Sequence, residues 1–256
     1  MERIVFFDID GTLLDEEKRI PPSAIETIER LKENGVRVAL ATGRAPFMFR
    51  DILAQLGIDD FVSFNGQYVE VGGNVLYKRT IDAERLAAIE EAAKARRHPM
   101  AFLDENFMTA NVDGHPWVET SMNDLKLDPP PYDPHGHEGR GICQALLFCE
   151  EHEEHLYTET FTDLDFIRWH RYSLDVMPPG GSKAVGIRIV CEHFGIAPDQ
   201  VYAFGDARND VEMLREAAVG VAMGGAEPEA IAAADWVTDR PEEDGIYNAC
   251  KKLGLI

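Results

Sequence analysis

The chain has 256 residues, 45% of them hydrophobic, and a formal net charge of −21 at pH 7. This length and composition allow one large domain, or a core domain with an insertion. The strong negative charge repels polyanions and argues against a nucleic-acid partner bound through its phosphates, whereas a small phosphorylated partner remains compatible with it.

The first eighty residues alternate strand and helix signals. The predicted elements are a strand at 4–7, a helix ending near residue 35, a strand at 36–41, a helix at about 47–56, a strand at 61–64 and a glycine-linked hairpin at 68–77. Strands that alternate with helices predict a parallel, doubly wound sheet.

The pattern changes near residue 82 and returns after residue 178. The intervening segment has a helix at 83–95, weaker strands at 100–103, 145–149 and 174–177, and a proline-rich loop at 128–134. We therefore predict a Rossmann-like α/β core with a mainly parallel sheet, formed by residues 1–81 and 179–256. An α+β cap domain, residues 82–178, is inserted into it.

Cysteine spacing and hydropathy indicate a cytoplasmic protein. The four cysteines form no CxxC pair and have no zinc-like spacing to histidines, which is typical of reduced thiols. The N-terminus carries no signal-peptide pattern, and no apolar run approaches the ~20 residues that span a bilayer. We therefore expect no membrane partner.

Two carboxylates, Asp8 and Asp10, follow the first predicted strand and precede a Gly-Thr turn. Open α/β sheets bind ligands at the carboxyl ends of their strands. If the chain stays extended to Asp10, both side chains point to one side of the strand. They could then act as nucleophile and acid/base, or bind a hard cation. The alternative is two turn aspartates that cap the following loop.

The segment Thr42-Gly43-Arg44 follows the second predicted strand. A hydroxyl and adjacent backbone N–H groups at a strand end suit a phosphoryl oxygen. The alternative for this segment alone is an ordinary turn between a strand and a helix.

Lys183 follows Gly-Gly-Ser at a predicted helix start. An ammonium opposes the helix dipole at this end. Its position is reasonable if it balances carboxylates and a bound phosphate, and the alternative is a solvated surface lysine.

The segment GDARND, residues 205–210, follows another predicted strand. Asp206 offers a hard oxygen ligand of the kind that Mg²⁺ prefers. Asp210 could orient Lys183 or a metal-bound water. The alternative is that Asn209 or Asp210 simply caps a helix.

The ordered segments DIDGTLL, TGR, GGSK and GDARND resemble those of haloacid dehalogenase-like hydrolases, most closely the Cof-type phosphatases. The Asn65-Gly66 pair after the third predicted strand also matches. Each motif alone could occur by chance, but the ordered set covers nearly the whole chain and is highly specific.

The resemblance implies that Asp8 is a nucleophile that forms an aspartyl-phosphate. Asp10 would protonate the leaving oxygen and then activate water, while Thr42 and Lys183 would bind the phosphoryl group. The implied Mg²⁺ ligands are Asp8, the backbone carbonyl of Asp10 and Asp206, with Asp210 and Asn209 in support.

The resemblance also implies that the inserted domain contacts the leaving group. On the core side, Gly43, Arg44, Asn65, Lys183 and Asn209 are the candidate substrate-binding residues, and Arg140 is a further candidate in the insertion. The settings of His135, His137, His152 and His155 are more typical of a loop and an acidic stretch than of a second metal site. Trp117, Trp169 and Tyr172 are expected to be packing residues.

The function predicted from these residues is Mg²⁺-dependent hydrolysis of small-metabolite phosphomonoesters, such as sugar phosphates or phosphorylated cofactors. One alternative is a phosphotransferase or phosphomutase with the same intermediate. Another is a non-enzymatic phospho-acceptor, against which Asp10 and the long insertion argue. The sequence does not define the oligomeric state.

Overall fold

The computed structural model of the protein describes residues 2–256. They form two compact units, which we call the core unit (2–44, 49–77 and 182–256) and the inserted unit (45–48 and 78–181). The inserted unit extends beyond the segment 82–178 at both ends. Within it, Lys78 forms an ion pair with Glu105, and the Gly180 N–H donates to the Asp165 carboxylate.

Helices and strands are numbered in chain order. The strands are β1 (Arg3–Phe7), β2 (Val36–Ala41), β3 (Phe61–Ser63), β4 (Tyr68–Val71), β5 (Asn74–Lys78), β6 (Met100–Leu103), β7 (Met108–Ala110), β8 (Gln144–Phe148), β9 (Asp165–His170), β10 (Ser173–Met177), β11 (Val201–Gly205), β12 (Val219–Ala222) and β13 (Trp236–Val237). The helices are α1 (Pro22–Glu33), α2 (Arg50–Leu56), α3 (Ala83–Arg96), α4 (Pro116–Asp124), α5 (His155–Thr158), α6 (Lys183–Phe194), α7 (Val211–Glu216), α8 (Pro228–Ala233) and α9 (Gly245–Lys252). Among the helices of residues 2–256, none combines the length and apolar character that a membrane span requires.

The core unit contains a mostly parallel sheet with the order β13-β12-β11-β1-β2-β3-β4-β5. Strand β1 is parallel to both of its neighbours, whereas β3 and β4 are antiparallel. The register aligns Phe7 of β1 with Leu40 of β2 and with Phe204 of β11. The residues after these three strands therefore meet at one edge of the sheet, and the predicted Rossmann-like α/β core is confirmed.

Helix α6 brings Lys183 into the interior of the core unit. The Ser182 hydroxyl caps the helix by accepting a hydrogen bond from the Val185 N–H at 3.4 Å. A Cβ atom at Gly186 would overlap with the Val62 side chain, so glycine permits close packing of α6 against β3. Lys183 is the first residue of α6 and is fully buried, unlike the solvated lysine of the alternative interpretation.

The inserted unit is built on an antiparallel sheet with the order β7-β6-β8-β10-β9. One sheet face carries Leu147 and Val176 into a hydrophobic cluster with Leu86 and Ile89 of α3 and Tyr157 of α5. Burial of this apolar surface is the main stabilising term for such a layer. The insertion therefore has the predicted α+β composition.

Candidate active site

Lys183 lies at the centre of a buried ion-pair cluster. Its Nζ atom is 2.6 Å from Asp8 Oδ1 and 2.6 Å from Asp210 Oδ1. All three residues are buried, and charged groups are stable in such a place only when they are paired. The cluster connects the end of β1, the start of α6 and the loop after β11.

Asp210 also holds the loop that follows β11. Its Oδ2 atom accepts hydrogen bonds from the backbone N–H groups of Asp206 at 2.9 Å and Ala207 at 3.0 Å. Gly205 permits this close approach, because a Cβ atom there would lie 2.6 Å from atoms of the Asp210 side chain. Asp210 thus positions both Lys183 and the segment that carries Asp206.

Thr12 orients Asp206, a contact that the sequence reasoning did not identify. The fully buried Thr12 hydroxyl donates a hydrogen bond of 3.0 Å to Asp206 Oδ1. Its position in the same motif as Asp8 and Asp10 could have marked Thr12 as a site residue. Nothing in the local sequence, however, indicates a partner at position 206.

The acidic groups of this cluster fit a hard divalent cation. Oxygen atoms of Asp8, Asp206 and Asp210 lie within 4.8 Å of one another. Burial, together with the nearby charge of Asp210, raises the pKa of Asp206 to about 7. Burial likewise raises the pKa of Asp8, which Lys183 lowers in part and the neighbouring carboxylates raise. One ammonium does not balance this crowded negative charge, and carboxylate oxygens are preferred Mg²⁺ ligands.

Asp10 is held by two cations. Arg44 donates from Nε to Oδ2 at 2.7 Å and from Nη2 to Oδ1 at 2.7 Å, while Lys18 Nζ lies 2.6 Å from Oδ1. Burial raises the pKa of Asp10, but Arg44 and Lys18 outweigh that effect and hold the pKa below its usual value. Asp10 is therefore a carboxylate in this arrangement.

The backbone between Asp8 and Asp10 is not extended, which was the condition for the predicted same-side arrangement of the two side chains. Strand β1 ends at Phe7 and the chain turns before Asp10, so strand alternation does not place Asp8 and Asp10 on one side. Lys18 was not identified from the sequence, because an isolated lysine in a charged loop carries no distinctive signal. It has a left-handed φ of 62° in the turn after Asp15.

The predicted phosphate- and substrate-contacting residues other than Lys183 form a second group. Buried Thr42 Oγ1 accepts a hydrogen bond from the Arg44 N–H at 3.1 Å. Asn65 Oδ1 accepts one from Asn209 Nδ2 at 3.0 Å, and a Cβ atom on Gly43 would lie 3.1 Å from the Asn65 amide. This group links the loops after β2, β3 and β11.

Open α/β sheets bind ligands at the carboxyl ends of their strands. A buried lysine among carboxylates at this edge provides the positioning and charge neutralisation that phosphoryl transfer needs. The model of the haloacid dehalogenase-like hydrolases matches residues 5–250. The chain belongs to this family, as its motifs predicted.

Individual relatives agree with this assignment over their full lengths. YkrA of Bacillus subtilis (strain 168), which is named as a phosphatase, is 43% identical over 99% of this chain and 98% of its own. The subclass IIB sugar phosphatase BT4131 is 34% identical with a TM-score of 0.89, covering 99% of this chain and 100% of that one. A hypothetical protein from Geobacillus kaustophilus HTA426 is 52% identical with a TM-score of 0.96, and both chains are fully covered. The chain is therefore a phosphatase of this family.

Gly11 is required beside Asp206, and we expect Gly11→Ala to reduce phosphatase activity by about 100-fold. Gly11 has a φ of 77°, and a Cβ atom there would overlap with the Asp206 carboxylate. The measurement is kcat/KM as a function of Mg²⁺ concentration. Displacement of Asp206 should lower the rate and raise the Mg²⁺ concentration needed for half-maximal activity.

Gly35→Ala is the matched control for this prediction. Gly35 has a similar φ of 71°, but no atom lies within 4 Å of a Cβ built there. Both variants should lose about 1 kcal/mol of stability through the left-handed backbone, and only Gly11→Ala should lose activity. Equal activities of the two variants would contradict the role given to Gly11.

Proposed function

We propose that the enzyme hydrolyses phosphomonoesters of small metabolites, with Mg²⁺, through an aspartyl-phosphate on Asp8. The observation that carries this proposal is the buried Asp8 carboxylate, paired with Lys183 at 2.6 Å beside Asp206 and Asp210. The similarity to a sugar phosphatase supports sugar phosphates as candidate substrates. Phosphorylated cofactors of similar size are further candidates.

In the first step, a carboxylate oxygen of Asp8 attacks the phosphorus and the bond to the leaving oxygen breaks. Lys183 and the Thr42 hydroxyl bind the phosphoryl oxygens and hold the group in line with Asp8. Asp8, the backbone carbonyl of Asp10 and Asp206 would hold Mg²⁺, with Asp210 in support. When bound, the ion would offset the repulsion between the carboxylate and the phosphoryl oxygens.

Asp10 moves the proton in both steps. It first gives a proton to the leaving oxygen, and as a carboxylate it then takes one from the water that attacks the phosphorus of the aspartyl-phosphate. The bond between Asp8 and phosphorus breaks, which releases phosphate and restores Asp8. A phosphoryl dianion competes for Arg44, and loss of that ion pair would raise the pKa of Asp10 for the acid step.

The division of the chain suggests a division of labour. We propose that the core, residues 1–81 and 179–256, performs the chemistry. The insertion, residues 82–178, would then select the leaving group, because the residues assigned to phosphoryl transfer lie outside it.

Metal removal tests this proposal. With Mg²⁺, we expect the purified protein to release phosphate from p-nitrophenyl phosphate over many turnovers. EDTA should abolish the release, and excess Mg²⁺ should restore it. Full activity in EDTA would contradict the metal assignment. A single turnover would instead indicate a phospho-acceptor, and transfer to a sugar without net phosphate release would indicate a phosphomutase.

A further inference from the structure

The two cations beside Asp10 contact its carboxylate in different ways. Lys18 Nζ donates to Oδ1 at 2.6 Å. Arg44 spans the carboxylate, with Nη2 2.7 Å from Oδ1 and Nε 2.7 Å from Oδ2. All three residues belong to the core unit. Departure of Arg44 would therefore open Oδ2 while Oδ1 keeps an ammonium partner.

The turn that carries Lys18 directs this ammonium at Asp10. The Asp15 N–H donates to the Arg19 carbonyl at 2.9 Å, and the Lys18 N–H donates to the Asp15 carbonyl at 2.9 Å. The Asp15 carboxylate also accepts a hydrogen bond from the Arg19 N–H at 2.8 Å. The neighbouring Arg19 side chain pairs with Asp15 and Glu17. The turn therefore places Lys18, rather than Arg19, beside Asp10.

Lys18 has a backbone conformation that is unfavourable for a lysine. Its φ of 62° lies in the left-handed region, which costs free energy for a residue with a Cβ atom but not for glycine. The side chains of Lys18 and Asp10 are 28% and 35% exposed, and an ion pair that is open to solvent contributes little to folding stability. Stability therefore does not account for a lysine here, and such backbone strain is typical of functional sites.

We propose that Lys18 is a positioning residue that keeps Asp10 aligned as the base of the second step, an inference that rests on the proposed phosphatase function. A bound phosphoryl dianion would draw Arg44 away and free Oδ2 of Asp10, while Lys18 still holds Oδ1. Oδ2 then takes a proton from the attacking water as the water oxygen bonds to phosphorus. The bond between phosphorus and Asp8 breaks, and its electron pair returns to the Asp8 carboxylate.

The two steps depend on this alignment to different degrees. The p-nitrophenolate ion is a stable anion that leaves without a proton, so phosphorylation by p-nitrophenyl phosphate does not need an aligned Asp10. Breakdown of the aspartyl-phosphate does need it, because Asp10 must face the attacking water. Loss of the Lys18 ammonium should therefore slow breakdown and leave formation of the aspartyl-phosphate unchanged.

The test uses Lys18→Gly, which removes the ammonium and also relieves the backbone strain. At saturating p-nitrophenyl phosphate and Mg²⁺, an acid quench gives the phosphorylated fraction of the protein. The ratio of kcat to this fraction is the rate constant of breakdown, and the ratio of kcat to the remaining fraction is that of formation. We expect breakdown to fall about tenfold and formation to stay within about twofold, with a higher melting temperature. Lys18→Arg keeps a cation and should recover most of the breakdown rate.

Arg97→Gly is the matched control. Arg97 has the same φ of 62° and is exposed in the inserted unit, so its substitution should also raise the melting temperature but change neither rate constant. Unchanged breakdown in Lys18→Gly, equal losses in both rate constants, or no recovery in Lys18→Arg would overturn the role given to Lys18. A wild-type protein that neither releases phosphate nor becomes phosphorylated would instead refute the phosphatase mechanism, and the role of Lys18 with it.

Discussion

Asp8→Asn is expected to reduce phosphomonoester turnover by about four orders of magnitude or more, because an amide cannot replace a carboxylate as the nucleophile. Folding should be preserved, since Asn has the same shape and Lys183 retains Asp210 at 2.6 Å. Burial and adjacent carboxylates raise the pKa of Asp8, so the neutral amide removes an unfavourable buried charge. The melting temperature should therefore be unchanged or higher.

The measurement is kcat with p-nitrophenyl phosphate together with thermal unfolding of the same preparation. Asp59→Asn provides a control, because Asp59 is an exposed aspartate of the core unit and its substitution should affect neither quantity. If Asp8→Asn retained activity within tenfold of the wild-type protein, Asp8 would not be the nucleophile.

Lys183→Met is expected to remove activity and to destabilise the protein by about 3–5 kcal/mol. Methionine approximates the length of the lysine side chain, but it leaves Asp8 and Asp210 buried without their shared cation. The loss should be measured as the free energy of unfolding by denaturant, in buffer that contains EDTA so that bound metal does not contribute.

A second substitution distinguishes charge from packing as the cause. Adding Asp8→Asn to Lys183→Met removes one uncompensated carboxylate and should restore part of the lost stability, although not the activity. Lys251→Met, at an exposed position in α9, should change stability by less than about 0.5 kcal/mol. If Lys183→Met were as stable as the wild-type protein, Lys183 would not be neutralising the buried carboxylates of Asp8 and Asp210.

The core and most of its polar cluster were predictable because they follow strong local patterns. The apolar strand before Asp8 and the strand before Asp206 are short, buried and followed by glycine-containing loops, so their ends were easy to locate. Parallel strands with aligned ends then bring Asp8 and Asp206 together. The start of α6 places the Lys183 ammonium beside Asp8. The roles of these residues in catalysis remain predictions.

The parts that escaped prediction depend on tertiary contacts. Thr12 and Lys18 act through partners that no local pattern specifies. The end of β1 at Phe7 was predicted, but the chain turns between Phe7 and Asp10 instead of staying extended. Strand β9 was missed because its residues are all half-buried and show no alternation. Arg140, a candidate substrate contact, pairs with Asp104 at 2.7 Å inside the inserted unit, and its role in substrate binding remains a prediction.

The most direct test of the mechanism locates the phosphoryl group on the protein. A single-turnover reaction would be quenched in acid, reduced with borohydride to convert an acyl phosphate to homoserine, and mapped by peptide mass spectrometry. We expect homoserine at position 8 in the wild-type protein and none in Asp8→Asn. Modification of a different carboxylate, or rapid phosphate release with no modified carboxylate at any time point, would contradict the assignment of Asp8 as the phosphoryl acceptor.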